Sequence, residues 1–197
     1  MRHVRDWLLI LVRSSFCKVN RITLGGLACG LALLLTTSCS GGGRLDADGP
    51  FGSGGTNSGT LCEQVPPGGV LHDSFDAFRN AGGLARISKV TLVHPRHLRL
   101  VAAWVVPTSG PLGDSGPGYP RASEFQPGFR WGKRQVIPGA MVRHTHGRDL
   151  INLVIVVKPT AKTGTATALN LYYNAAGSRY LIHFPIGYNV PVGGHRC

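Results

Sequence analysis

The sequence predicts a mainly β protein: an antiparallel β-sandwich of immunoglobulin-like or similar Greek-key topology, with at most one short helix. Three observations predict this fold class. Short apolar segments rich in β-branched residues recur at near-regular spacing between turn residues. Helical patterns do not alternate with these segments, which argues against a parallel sheet. The 28 glycines and 13 prolines among 197 residues, with only 9 acidic side chains, exclude a coiled coil or a large helical bundle.

The first 38 residues have the features of a secretory signal peptide. Five basic residues and only one acidic residue, Asp6, precede an apolar run of about 14 residues at 22–35. This run is shorter than the roughly 20 residues that a membrane-spanning helix needs. The basic residues are Arg2, Arg5, Arg13, Lys18 and Arg21. We therefore expect residues 1–38 to direct export, with a retained signal anchor as the alternative.

The apolar run is followed by Thr36-Thr37-Ser38-Cys39, a cysteine directly after small residues. This segment resembles the lipobox of bacterial lipoproteins, a family in which the cysteine is acylated and becomes the mature N-terminus. The resemblance implies lipidation at Cys39 and anchoring at the extracytoplasmic face of the cell membrane. Thr36 stands where the family usually has leucine, so cleavage by a general signal peptidase is the alternative.

Residues 39–60 are expected to form the lipidation cysteine and a Gly/Ser-rich tether. Eight of the 20 residues that follow Cys39 are glycine, and such a segment buries too little apolar surface to become ordered. Residues 61–197 then form a single β-sandwich domain that is long enough for a hydrophobic core. If Cys39 carries lipid, Cys62 and Cys197 are an even pair in an oxidising compartment. We expect a disulfide between them, with two free thiols as the alternative.

A short helix is predicted near the start of this domain, over residues 74–80. Asp73 suits its N-cap, and Gly82 suits its C-terminal stop. Phe75 and Phe78, three residues apart, would share its buried face. Beyond this helix the pattern indicates strands.

The predicted strands depend on alternation, apolar runs and turn residues. Ile87 and Val90 fall on opposite faces if the first strand alternates regularly. Residues 150–157 are strongly apolar, which is typical of a central strand. The last two strands form a hairpin across Asn174-Ala175-Ala176-Gly177. In chain order the predicted strands span residues 87–93, 98–106, 135–137, 140–143, 150–157, 165–173 and 178–186.

The segment 107–130 is predicted to be a long loop, since ten of its 24 residues are glycine or proline. Four aromatic side chains in it or directly after it are candidates for a partner-binding surface. They are Tyr119, Phe125, Phe129 and Trp131. The alternative is an edge connection whose aromatic side chains fold back onto the sandwich.

Gly113-Asp114-Ser115-Gly116-Pro117 resembles the nucleophile segment of chymotrypsin-like proteases. The resemblance implies a secreted serine hydrolase centred on Ser115 as one alternative function. Such an enzyme needs a histidine and an aspartate from an upstream barrel, and the chain before Ser115 is too short for one. A turn built from favoured turn residues is the preferred interpretation.

His144-Thr145-His146 is a candidate metal site for copper or zinc. Residues two apart on a strand share a face, so both imidazoles could reach one ion, with Met141 nearby as a soft ligand. A closed zinc site requires four ligands, and no cysteine pair or carboxylate lies next to these histidines in the sequence. A solvated strand end is therefore the preferred interpretation, and no cofactor is expected.

Residues 40–197 hold 16 Lys or Arg against 8 Asp or Glu, and this excess attracts polyanions. Nucleic acid is not an expected partner outside the cytoplasm. The cations form no run and no basic–aromatic repeat, so general charge for solubility is the alternative to a polyanion site. We expect a lipid-anchored protein with a non-catalytic binding or structural domain. Its expected partners are the membrane, through the N-terminal lipid, and anionic envelope polymers or another envelope protein.

Overall fold

The structure is a computed structural model that describes residues 49–53, 58–109 and 114–194, apart from the side chains of Ser53 and Phe75. The predicted signal peptide, Cys39 and Cys197 lie outside the described residues. In the described ranges, no helix is both long enough and apolar enough to cross a membrane.

Within these ranges the chain forms thirteen strands, which confirms the predicted mainly β class. Two short 3-10 helices, Ala122–Glu124 and Trp131–Lys133, lie between strands. The strands are β1 (Phe51–Ser53), β2 (Gly59–Cys62), β3 (Leu71–Asn80), β4 (Ala85–Val93), β5 (Leu98–Thr108), β6 (Ser115–Pro117), β7 (Gln135–Val136), β8 (Met141–Val142), β9 (Leu150–Pro159), β10 (Thr163–Ala166), β11 (Ala168–Ala175), β12 (Ser178–Phe184) and β13 (Ile186–Pro191).

The described strands form three sheets around one hydrophobic core, as in an antiparallel sandwich. The larger sheet has the order β1-β3-β9-β5-β7, with β6 also paired to β3. The smaller sheet has the order β12-β11-β4-β8, and a third sheet has the order β10-β13-β2. Side chains from all three sheets share the core. The prediction of a central strand at 150–157 is confirmed, because β9 lies between β3 and β5.

The predicted helix over 74–80 is wrong, because these residues belong to β3. The pairing of β3 with β9 shifts between Asp73 and Asp76, so that Asp73 faces Ile155 while Asp76 faces Leu153. This β-bulge brings an odd-numbered and an even-numbered aspartate to the same, core-facing side of the strand. Pairing with a buried strand therefore overrides the local helix-start signals.

The regular alternation predicted for β4 is also wrong. Tyr172 pairs with Lys89 and Tyr173 pairs with Ile87, so Ser88 is skipped in a second bulge. As a result, Ile87 and Val90 are both buried in the core. A bulge adds one residue to a strand without changing its composition, so the hydrophobic pattern does not reveal it.

The folded body begins before residue 61, so the predicted tether over 39–60 is too long. The ring of Phe51 stacks on Tyr173 and Phe78, with centroid distances of 3.8 and 4.8 Å. Its backbone N–H donates a hydrogen bond of 3.2 Å to the Tyr173 hydroxyl. One large apolar side chain in a glycine-rich stretch is enough to bind the chain to the sheet, since burying a phenylalanine is worth about 2–3 kcal/mol.

The predicted hairpin is confirmed, with a two-residue turn. Ala175 pairs with Ser178, so the turn consists of Ala176 and Gly177. Both have left-handed backbone, with φ of 48° and 81°, as tight β-hairpins require. The strands are shorter than predicted, because residues 165 and 186 belong to β10 and β13 of the third sheet.

Candidate functional site

A half-open cleft of about 250 Å³ lies where the larger and smaller sheets meet. The larger sheet supplies Val105, Gln135 and Ile151 to its lining, and β8 of the smaller sheet supplies Met141 and Val142. Both β7 and β8 are edge strands of two residues. Such short edges cover the space between the sheets less completely than the long strands do.

The side chain of Gln135 ties the two edges of the cleft together. Its Oε1 accepts a hydrogen bond of 2.8 Å from the Met141 backbone N–H. Its Nε2 donates a hydrogen bond of 2.9 Å to the Met141 carbonyl. Because Gln135 belongs to β7 and Met141 to β8, this two-point link sets the spacing of the sheets at the cleft.

Asn80, a fully buried side chain at the end of β3, holds the backbone of two residues that line the cleft, Val142 and Thr145. Its Nδ2 donates to the carbonyls of Val142, at 3.1 Å, and Gly83, at 2.7 Å. The backbone N–H of Thr145 donates to the Asn80 carbonyl at 2.9 Å. These bonds fix the segment 143–146 against β3, so Arg143 and the following histidine are displayed from an anchored backbone.

The rim of the cleft carries an excess of positive charge. Arg130 and Asp149 form a partly exposed ion pair with an N–O distance of 3.5 Å, so these two charges largely offset each other. Arg143 is exposed, and within the described residues it has no hydrogen-bond or ion-pair partner. His144 stands beside it, with Nδ1 3.3 Å from the Gly82 carbonyl. Arg143 is therefore the rim cation that is available to a ligand.

The structure brings His144 and His146 together, with ring centroids 4.4 Å apart. The predicted strand geometry is nevertheless wrong, because residues 143–146 form no strand. In the described part of the chain, no three His, Cys, Asp or Glu side chains group into a metal site. The pair offers two nitrogen ligands, and Met141 lines the neighbouring cleft.

Three of the four candidate partner-binding aromatic residues form one cluster on the larger sheet. The rings of Phe125 and Phe129 stack at 4.0 Å, and Trp131 lies 5.2 Å from Phe125 and 5.7 Å from Trp104 of β5. These side chains are half-buried, as the fold-back interpretation expects. Tyr119 stands outside the cluster with 54% of its surface exposed.

Residues 114–117, including Ser115, are bound to β3. Ser115 pairs with Asp73 in the ladder between β6 and β3. The Ser74 hydroxyl donates to the Asp114 carbonyl at 2.6 Å. Among the described residues, no hydrogen bond joins the Ser115 hydroxyl to a histidine. The nearby His72 instead places Nδ1 3.2 Å from the Gly118 carbonyl.

Asp73, Asp76 and Tyr188 form a buried acidic cluster that the sequence does not predict. All three are at most 3% exposed. The Tyr188 hydroxyl donates a hydrogen bond of 2.5 Å to Asp73 Oδ2, while Asp76 Oδ2 has no partner within the described residues. Burial, with a smaller contribution from the Asp73 charge, raises the pKa of Asp76 to about 8. Burial, both carboxylates and the hydrogen bond raise the pKa of Tyr188 well above its ordinary value.

Cys62 ends β2 and lies opposite Asn189 of β13. It is not a free thiol, but all other cysteines lie outside the described residues, so its pairing with Cys197 stays a prediction. Gly193 and Gly194 turn the chain just after β13, with φ of 61° and 90°. Cys197 is three residues after Gly194, and three fully extended residues span at most roughly 10 Å.

Comparison with known proteins assigns no family. No protein-family model matches the chain, and no curated protein matches it significantly.

Proposed function

We propose that this chain is a lipid-anchored extracytoplasmic lipoprotein whose β-sandwich is a non-catalytic binding domain at the envelope surface. The order of segments carries the proposal. A basic start, a short apolar run and Cys39 after small residues are followed by a glycine-rich stretch and then by a body that begins at Phe51. Gly/Ser-rich chains of about eleven residues span roughly 20 Å on average, a length that suits the attachment of a folded domain to a bilayer.

The binding role is supported by the cleft and by the charge of the surface. Nine basic residues spread over the domain are all exposed, which favours anionic partners such as envelope polymers or lipid headgroups. They are Arg86, Lys89, Arg96, Arg99, Arg130, Lys133, Arg134, Arg143 and Arg148. Arg130 and Arg143 also line the cleft at β8, whose other lining residues include the apolar Val105, Val142 and Ile151.

Substitution of the lipidation cysteine tests the anchor. In cells fed a labelled fatty acid, the parent protein should carry label and sediment with membranes. Cys39→Ala should lose the label, because the acylated thiol is gone. Ser38→Ala is the matched control, since a small residue still precedes the cysteine, and it should behave like the parent. Equal labelling of Cys39→Ala and the parent would contradict acylation at Cys39.

A second candidate function is binding of copper or zinc, favoured by the 4.4 Å separation of the His144 and His146 rings. Titration of Cu²⁺ and Zn²⁺ into the purified protein should then give a Kd at least tenfold lower than for the double variant His144→Ala/His146→Ala. His183→Ala is the control, because this exposed histidine lies on β12 beside Asn170. Equal affinity of the parent and the double variant would end this candidate.

A further inference from the structure

We infer that the cleft between β8 and the larger sheet binds a small anionic amphiphile, a molecule with a phosphate or carboxylate headgroup and a short apolar segment. This inference deepens the proposed binding function and rests on it. It assigns the chemical class of the ligand and the residue that recognises the headgroup.

The floor of the cleft suits the apolar segment. Val105 and Val142 are each 2% exposed, and Ile151 is also buried, so the floor is formed by core side chains. Pro107 and Leu150 extend this apolar surface. Aliphatic side chains cannot satisfy a polar group by hydrogen bonding, so the part of the ligand that lies against them should be hydrocarbon.

The size of the cleft limits the ligand to a small molecule. A volume of about 250 Å³ lies just below the range of roughly 300–1,000 Å³ that is typical of pockets for drug-sized ligands. A ligand with on the order of ten non-hydrogen atoms therefore fits. A long acyl chain would extend beyond the cleft into solvent.

The rim suits an anionic headgroup. The guanidinium of Arg143 has no hydrogen-bond or ion-pair partner within the described residues, and it presents the planar donor fork that binds phosphate or carboxylate at two points. The charge of Asp149 is offset by Arg130 at 3.5 Å. A cationic ligand would meet an unpaired arginine, and a neutral one would leave that arginine without a partner.

The anchoring of the rim distinguishes this site from other exposed arginines. Asn80 fixes the backbone beside Arg143, and Gln135 fixes the opposite edge, so less ordering is needed when a ligand binds. Arg134, in contrast, already makes a cation–π contact, with its guanidinium 4.7 Å from the Trp131 ring centre. Arg99 is exposed on β5 and is not part of the cleft lining.

The test is calorimetric titration of the mature acylated protein, which begins at Cys39, in nanodiscs of neutral phosphatidylcholine. Three probes are compared: hexyl phosphate, hexanol and inorganic phosphate. Hexyl phosphate should bind at least tenfold more tightly than either of the others, because only it fills the floor and the rim together. Arg143→Gln should weaken its binding at least tenfold. Arg99→Gln, the control, should change it less than twofold.

Two results would overturn the inference. One is equal affinity for all three probes. The other is equal weakening of hexyl phosphate binding by Arg143→Gln and Arg99→Gln, because binding would then depend on the general surface charge.

Nanodiscs that contain phosphatidylglycerol distinguish the source of the headgroup. Arg143-dependent competition by this lipid supports an anionic lipid as the source, and lack of competition supports a soluble ligand. Because acylation is verified beforehand, a negative titration overturns the ligand class and leaves the anchor intact.

Discussion

Asp76→Asn should raise the free energy of unfolding at pH 8 by several kcal/mol and have little effect near pH 4. Burial raises the pKa of this carboxyl from 3.8 to about 8 in the folded protein. Between these values the folded state keeps a proton that the unfolded state has lost. The stability is therefore fully present below about pH 4 and is lost progressively as the pH rises to about 8, at roughly 1.4 kcal/mol per pKa unit.

Urea unfolding at about pH 4.5, 6 and 8 measures this effect. The parent protein should lose stability across the series, and Asp76→Asn should lose much less, because an amide does not ionise. Asp149→Asn is the control: this carboxylate is 47% exposed, so its replacement should leave the pH dependence of the parent unchanged. Parallel curves for the parent and Asp76→Asn would show that Asp76 is not the titrating group.

Tyr188→Phe should lower the free energy of unfolding at pH 7 by about 2–3 kcal/mol. The hydroxyl of Tyr188 donates to Asp73 Oδ2 inside the core, and hydrogen bonds to buried charged groups are worth about 1.5–3 kcal/mol. Removing the donor leaves a carboxylate oxygen in the core without this bond. The ring itself keeps its packing, so the loss reports the hydroxyl alone.

The matched control is Tyr119→Phe, which removes a hydroxyl from a side chain that is 54% exposed. Its effect should stay within about 0.5 kcal/mol. Chemical denaturation of the two variants beside the parent provides the comparison. A Tyr188→Phe protein as stable as the Tyr119→Phe protein would refute the stabilising role of this hydrogen bond.

The elements that the sequence predicts well are those with strong local signals. β9 is a continuous apolar run, and the turn at Ala176-Gly177 contains a glycine where left-handed backbone is needed. The sequence wrongly predicts a helix over 74–80, because Asp73 and the phenylalanines fit a helix locally. Only the pairing of β3 with β9, about 80 residues away along the chain, makes it a strand.

The sequence predicts only part of the candidate site, for a similar reason. The closeness of His144 and His146 follows from their spacing in the sequence. The cleft combines Val105, Gln135, Met141 and Ile151 from four strands, and no local pattern joins them. The buried acids were missed because a bulge turned Asp73 and Asp76 to one face, and bulges leave no mark in the hydrophobic pattern.

Mass spectrometry of protein purified from native membranes detects acylation of the N-terminus. We expect an N-terminal peptide that begins at Cys39 and carries the added mass of acyl chains. A chain that still begins at Met1 and is recovered from the soluble interior of the cell would contradict it, as would an N-terminal Cys39 without lipid.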